Sequence, residues 1–374
     1  MKEEIIVYIG GFELPDKNAA AHRVINNAKA FRTLGKHVVL IGVDKQLDGS
    51  CDIFSTYSVV DGFDTYAVPY PKNVKSWLKY LTSIKDYMAI CEKQAKVNMV
   101  ILYNFQAFAM QRMMSYCKKQ NIKCCADVTE WRSTKGEKWF YRIIKGCDTW
   151  YRMRILHMNL DGMIVISRYL QNYYRKCKNV LYLPTLVDIN EKKWKGEYKK
   201  SEQVLQLVYA GNPGHKDRID VLVEALEKVS RKYKLDIIGI TSKEYLQFYP
   251  HHKKIIEETK KITFHGRMIH SNALEYIKKA NYSCFFREND RVSKAGFPTK
   301  FAEAITCGTP VLTNDTSNIR EYAKNGMDLL IVDNINVNKI AEKIETLKFQ
   351  INVNRNIFDY HNFITEIEKF ILNL

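Results

Sequence analysis

Short β-branched runs alternate with helix-period stretches along the whole chain, and no other feature constrains the fold as strongly. Glu4–Ile9, His37–Val43, Thr65–Val68, Asn98–Asn104, Lys123–Val128, Gly162–Ser167 and Val180–Leu183 read as a first series of strands. Gln206–Ala210, Leu235–Ile240, Ile262–His265, Ser283–Arg287, Pro310–Asn314 and Asp328–Val332 read as a second. The runs are continuously apolar, the pattern of parallel strands covered on both faces by crossover helices. Between them lie stretches such as Ala19–Leu34, where Ala21, Val24, Ile25, Ala28, Phe31 and Leu34 form one stripe. Asn18 stands at the N-cap position of that helix and Gly35 at its C′ position. Thirteen strands are too many for one such sheet, so the chain is expected to fold as two α/β, Rossmann-like, doubly wound domains facing each other across a cleft.

The polar, charged stretch Asp188–Gln203 separates the two series and reads as a linker. The expected division is residues 1–190, residues 191–357, and a tail, 358–374, that packs back on the first domain. The tail is amphipathic, with Phe363, Ile364, Ile367, Phe370 and Ile371 on one face.

Fifty-eight Lys and Arg against forty-one Asp and Glu leave a net charge of +17, which favours acidic partners: nucleic acid, anionic membrane or phosphorylated small molecules. Eight prolines and seventeen glycines are too few for long disordered or low-complexity tracts. Apolar runs such as Asn98–Tyr103 fall far short of the roughly 18 residues that span a bilayer. Met1–Lys2–Glu3–Glu4 leads straight into a β-like run, so no signal peptide is expected. Nine scattered cysteines with no C-x-x-C imply reduced, mostly buried thiols in a cytoplasmic protein, and neither zinc nor disulfides.

Ligands of open α/β sheets bind beyond the carboxyl ends of the strands. After the first strand come Gly10 and Gly11, which serve either an ordinary tight turn or close approach of a ligand to the backbone. Opening the second domain is Gly211–Asn212–Pro213–Gly214–His215–Lys216–Asp217–Arg218. Its glycines and the cations Lys216 and Arg218 at the entrance of the helix Asp220–Val229 suit a diphosphate, or form a solvated basic turn. The most informative stretch runs from Gly296 to Leu312. Pro298 suits a first helical turn and Gly308 an αL stop, so a short helix starts at a Gly-Phe-Pro-Thr loop. Free amides near Thr299 and Lys300 make an anion site there, and Glu303, one turn further in, is placed to accept from a diol such as a ribose.

Gly296–Phe297–Pro298–Thr299–Lys300–Phe301–Ala302–Glu303–Ala304, followed by Gly308–Thr309–Pro310–Val311, resembles the nucleotide-sugar motif of family 4 glycosyltransferases, which have the GT-B fold. The resemblance covers nearly the whole chain. It includes Asn18–Arg23, Leu34–Val38, Asp161–Ser167, Leu183–Asp188 and Phe264–Met268, in the family's order and spacing. It implies that Glu303 binds the donor ribose, that the Thr299–Lys300 amides meet the diphosphate, with Phe297 and Pro298 also in the donor site, and that Lys216 and Arg218 neutralise the phosphates. Arg267 and Met268 would border the base, and Gly10, Gly11 and Gly214 would line the donor site. The family's second Glu, eight positions before Glu303, is here Ala295, with Glu288 or Asp290 as possible substitutes. In place of the family's usual mid-domain His the chain has Asp127–Val128–Thr129–Glu130, so Asp127 and Glu130 are the catalytic candidates for contact with the reacting sugar, and Lys216 the one for the departing diphosphate. A carboxylate ending a strand is equally often a simple cap.

The expected activity is transfer of a sugar from a nucleoside-diphosphate sugar to a glycan or lipid-linked acceptor in surface polysaccharide synthesis, retaining and with no metal or other cofactor. Rival readings are a sugar-nucleotide epimerase of the same fold, a silent binding subunit and, last, a nucleic-acid binder. The segment 135–154 interleaves Lys135, Lys138, Arg142, Lys145, Arg152 and Arg154 with Trp139, Phe140, Tyr141, Trp150 and Tyr151. That pattern suits peripheral attachment to the anionic inner face of the cell membrane, stacking on single-stranded nucleic acid, or a core-facing stripe with a solvated basic face.

Overall fold

The computed structural model describes residues 4–132, 139–196, 198–213, 216–322, 329–332 and 335–374. The chain forms two compact units, Met1–Val187 with Asp359–Leu374, and Asp188–Phe358.

The first unit holds eight strands: β1 (Ile5–Gly10), β2 (His37–Asp44), β3 (Ser58–Val60), β4 (Phe63–Pro69), β5 (Val97–Tyr103), β6 (Lys123–Val128), β7 (Gly162–Val165) and β8 (Val180–Tyr182). Their spatial order is β3-β4-β2-β1-β5-β6-β7-β8. All pairings are parallel except β3 with β4, a hairpin closed by Asp61 and Gly62, both at positive φ. Such turns match the twist of the paired strands, which is why Asp-Gly is favoured in them. Every residue of β1 is buried, as a central parallel strand requires.

The helix Ala19–Thr33 crosses from β1 to β2. Asn18 Oδ1 accepts from the Ala21 amide at 2.9 Å. At the other end the Gly35 amide donates to Arg32 O and the Lys36 amide to Phe31 O, a Schellman stop with Gly35 at φ +73°. The stripe Ala21, Val24, Ile25, Ala28 and Phe31 is buried, but so are Arg23, Asn26, Asn27, Lys29 and Ala30. Arg23 and Asn27 turn toward the sheet, where they donate to Asp127, and on another side the helix Ile364–Leu372 packs along Ala19–Thr33 and adds Ile367 and Phe370 to the same core. The Phe370 ring lies so close to β7 that a Cβ at Gly162 would sit 2.7 Å from it. Tyr360 anchors this segment by donating its amide to Val187 O at 2.9 Å.

The second unit holds β9 (Leu205–Ala210), β10 (Tyr233–Ile238), β11 (Ile262–Gly266), β12 (Tyr282–Cys284), β13 (Val311–Asn314) and β14 (Leu329–Val332). They are all parallel, in the order β11-β10-β9-β12-β13-β14. The order reverses between β9 and β12, and the crevice at such a switch point is where open sheets bind ligands. The polar stretch after Asp188 is stitched onto this unit. Trp194 is buried, Lys278 Nζ donates to Lys195 O at 2.8 Å, and Lys200 Nζ donates to Gly308 O at 2.9 Å. Burial pulls the Lys200 ammonium down to about 8.

All nine cysteines are free thiols, and Cys91, Cys117, Cys124, Cys125, Cys284 and Cys307 are buried. Among the described residues no helix is long and apolar enough to cross a membrane.

Candidate functional site

Three loops meet at the carboxyl edge of β9, β10 and β11, and each carries a glycine at positive φ: Gly211, Gly239 and Gly266. The Gly211 amide donates to Ile238 O at 3.0 Å, and the Gly239 amide to Gly266 O at 2.7 Å. A Cβ at Gly239 would lie 2.4 Å from Gly211 O, so this edge closes only with glycine there. Gly214 lies outside the described residues.

Asp217 is the hub of the crevice. Its carboxylate accepts from Tyr209 Oη at 2.8 Å, from Arg287 Nε at 2.7 Å and from Lys300 Nζ. Burial alone would raise the Asp217 carboxyl, but Lys300 and Arg287 outweigh it and hold the group down at about 2. Burial pushes the Lys300 ammonium down, against the pull of Asp217. We place the pair in its charged form, because the carboxylate answers two cations at once. Lys300 also donates to Tyr209 Oη at 3.1 Å and lies 4.2 Å from that ring's centroid.

Lys300 belongs to the helix Thr299–Thr306. Pro298 stands at its N-cap (φ −73°, ψ 106°) rather than in the first turn, and no side chain caps the helix. A proline cap offers no side-chain oxygen, so the amides of Thr299 and Lys300 are left for a ligand. The helix is fixed from behind by Phe297, 5% exposed, whose ring packs on Phe301, Tyr322 and Phe358 at 5.6–6.1 Å. Burying each such ring stabilises the fold by about 1.5–3 kcal/mol. The sum at this point is two cations, one carboxylate and a positive helix end. A surplus positive charge at a helix N-terminus is an environment that favours anions.

One turn along, Glu303 Oε1 lies 3.1 Å from His270 Nε2. His270 opens the helix His270–Lys279, and Arg267 is exposed and Met268 half-buried in the loop before it. Sequence reasoning missed Asp217, Arg287 and His270. Asp217 stands between two residues that were singled out, but only the fold shows that Arg287 comes back to it across the sheet.

Other expectations change. Lys216 is exposed. Arg218, in contrast, is engaged by carboxylates: its Nε and Nη2 donate to Asp220 at 2.8–3.1 Å and its Nη1 to Glu288. Two anions already occupy that fork, so Arg218 orders the loop rather than offering an open phosphate contact. Glu288 is committed to this pair. Asp290 caps the helix Arg291–Ala295 through the Ser293 amide at 2.8 Å. Ala295 is fully buried.

In the first unit, Asp127 is also fully buried. It accepts from Tyr8 Oη at 2.5 Å, from Arg23 Nε and Nη2 at 2.7–3.0 Å and from Asn27 Nδ2 at 3.3 Å. Arg23 reaches on to Leu183 O and Pro184 O at 3.1 and 3.0 Å. This carboxylate ties β1, β6 and the segment after β8 to the first helix, and it offers no open face to a sugar. Glu130 is half-exposed, 3.3 Å from Arg132 Nε. Gly10 is buried where a Cβ would meet Tyr103 Cβ at 2.6 Å, so it serves strand packing, while Gly11 is exposed.

The basic-aromatic segment folds as the helix Trp139–Tyr151 continuing into a wide turn, Arg152–Leu156. Lys135, Lys138 and the side chains of Phe140 and Tyr141 lie outside the described residues. Arg152 turns inward, 3% exposed, and donates to Phe105 O at 2.9 Å, with burial pulling its guanidinium down to about 10. Trp139, Ile143, Ile144, Trp150 and Ile155 are exposed, with Arg142 and Arg154 among them.

Solved structures share this fold over their full length. Sucrose-phosphate synthase from Thermosynechococcus elongatus is 14% identical, with a TM-score of 0.72 and coverage of 99% of this chain and 98% of that one. A glycosyltransferase from Rickettsia africae is 15% identical, with a TM-score of 0.69 and coverage of 100% and 99%. The Anabaena protein HepE, in complex with UDP and glucose, is 12% identical, with a TM-score of 0.65 and coverage of 100% of each chain. At these identities the likeness establishes the GT-B fold. No curated protein matches the chain by sequence. Residues 190–355, nearly the whole second unit, match the model of the family of glycosyl transferases group 1, and this match with the GT-B fold marks the chain as a glycosyltransferase.

Proposed function

We propose that the chain moves a sugar from a nucleoside-diphosphate sugar, bound by the second unit, to a glycan or lipid-linked acceptor. The observation that carries this reading is the uncapped helix Thr299–Thr306, with Lys300 at its mouth and Glu303 one turn inside. The helix amides, Lys300 and Lys216 stabilise the charge that develops on the departing diphosphate, with no metal required of the donor site. Glu303, oriented by His270, accepts hydrogen bonds from the ribose hydroxyls. HepE has been solved with UDP and glucose, which makes uridine diphosphate the first nucleotide to test. Retention of anomeric configuration and a place in surface polysaccharide synthesis complete the reading. Work at the cytoplasmic face of a membrane is supported by the exposed apolar and basic residues of Trp139–Tyr151.

Titration calorimetry with uridine diphosphate and uridine on the wild type and Lys216→Ala tests the donor site. The substitution should weaken diphosphate binding far more than nucleoside binding, since only the diphosphate carries the charge that Lys216 meets. Equal losses would overturn the phosphate assignment, and absence of binding to every nucleoside diphosphate would overturn the donor reading. Donor consumption without acceptor, yielding an epimer, would turn the assignment to an epimerase.

A further inference from the structure

Away from the donor loops, three side chains of the second unit converge on one point. Glu224 lies near the end of the helix Ile219–Glu227, and His251 and His252 lie in the turn Pro250–His252. His252 Nε2 is 3.1 Å and His251 Nε2 3.9 Å from the same oxygen, Glu224 Oε1, and the three ligand atoms lie within 4.8 Å of one another. Around a tetrahedral zinc ion with bonds of about 2.0–2.1 Å, neighbouring ligand atoms stand roughly 3.3 Å apart. Only the His251 ring has to swing inward, and it is the mobile partner, with 65% of its side chain exposed.

His252 is fixed in place. It is 1% exposed and packs in a three-ring cluster with Tyr245 and Tyr249, at centroid distances of 5.9 and 5.7 Å, the two tyrosine rings being 5.1 Å apart. Its Nδ1 is 2.7 Å from Tyr245 Oη. An outer hydrogen bond on the far ring nitrogen is how metal-binding histidines are oriented.

We propose that Glu224, His251 and His252 form a site for one divalent transition-metal ion, zinc foremost, separate from the donor crevice. Two imidazoles and a carboxylate suit such ions, and a water completes the fourth position. Without the ion, the Tyr245 hydroxyl donates to Nδ1 and Nε2–H donates to Glu224. On binding, the imidazole proton resides on Nδ1, Tyr245 Oη accepts it, and the Nε2 lone pair goes to the metal, so no proton is left over. The ion ties the last turn of the helix Ile219–Glu227 to the turn at residue 250.

The test uses the full chain stripped with chelator, titrated with zinc chloride by calorimetry and with cobalt chloride by visible absorption. One ion should bind per chain, raising the melting temperature. His251→Ala and Glu224→Gln should each weaken binding by roughly tenfold or more, and Tyr245→Phe should weaken it less. His251→Ala carries the test by itself, because its exposed ring can be removed without disturbing the core. Zinc bound equally well by His251→Ala and Glu224→Gln would place the ion elsewhere. No binding below millimolar zinc would leave these residues a hydrogen-bond network only, and either result overturns the proposal.

Discussion

Arg287 Nε donates to Asp217 Oδ1 at 2.7 Å, while Tyr209 Oη and Lys300 Nζ converge on the other oxygen of the same carboxylate. One buried anion therefore serves two cations, Arg287 from the segment after β12 and Lys300 from the first turn of the helix Thr299–Thr306. The carboxylate keeps Lys300 charged in a place where burial opposes charge. It also leaves one positive charge over, at a helix end that is itself positive. A diphosphate arriving there meets cations already desolvated and aligned, which is what makes electrostatic stabilisation of a leaving group effective.

Asp217→Asn should destabilise the second unit by roughly 3–5 kcal/mol, because removing one partner of a buried ion pair leaves the other uncompensated. Urea denaturation followed by circular dichroism measures it. A loss no larger than that of an ordinary surface substitution would mean that solvent already screens Lys300 and Arg287.

The same carboxylate sets an acid limit. Its folded value of about 2 lies below the roughly 3.9 of an unfolded Asp, so its contribution is fully present above about pH 4. It is lost as pH falls toward 2, and the depression corresponds to about 2–3 kcal/mol. The stability gap between wild type and Asp217→Asn should therefore be constant near neutrality and shrink between pH 4 and pH 2. A gap that does not change over this window assigns the effect to packing.

Glu303→Ala should weaken nucleoside-diphosphate binding by about 1.5–3 kcal/mol, the range for hydrogen bonds to a charged group. Calorimetry on the folded variant decides this. His270→Ala tests the 3.1 Å contact that orients Glu303, and it should give a smaller loss of the same kind. Undiminished affinity in Glu303→Ala would remove this carboxylate from the donor site.

The two-sheet architecture was legible because parallel strands are apolar on both faces, and β1, β2 and β5 carry that pattern most plainly. β3 was missed: it is a three-residue edge strand, and its only signal is the Asp61–Gly62 turn. The helix at Thr299 was readable from Pro298 and Gly308, which are local signals. What pairs with Lys300 was not, since Asp217 is 83 residues away in the chain, and Arg287, which shares that carboxylate, is 70 residues from it. Arg218 is compensated both locally, by Asp220 two residues on, and across the fold, by Glu288 70 residues on. Charge type is local in sequence, but charge compensation belongs to the tertiary fold.

Asp127 sits in the first unit as Asp217 sits in the second, a buried carboxylate answering a buried cation, here Arg23 at 2.7 Å. Asp127→Ala should cost roughly 3–5 kcal/mol of stability. Donor hydrolysis per folded molecule should change little, because no face of this carboxylate is open. Thermal unfolding and turnover measured on one preparation separate the two effects. A fully stable Asp127→Asn that has lost turnover would instead make Asp127 a group that touches the sugar.

The exposed side chains of the helix Trp139–Tyr151 give the membrane reading a physical test. Trp139 is 73% exposed, Ile143 56% and Trp150 53%, and Arg142 shares the surface. Rings and aliphatic chains enter the headgroup region while cations meet anionic lipid, each cation contributing about 1 kcal/mol. Arg152 contributes nothing, being spent on the Phe105 carbonyl. Binding to vesicles should therefore rise with anionic lipid and fall with salt. Substituting Arg142 and Lys145 by Glu should remove the lipid dependence, while Trp150→Ser should weaken binding at every salt concentration. Donor hydrolysis in solution should stay as it is in all of these, since the helix belongs to the first unit and the donor crevice to the second. Flotation in which the double Glu variant still rises with the vesicles, or the wild type never does, would leave this helix a surface without lipid attachment.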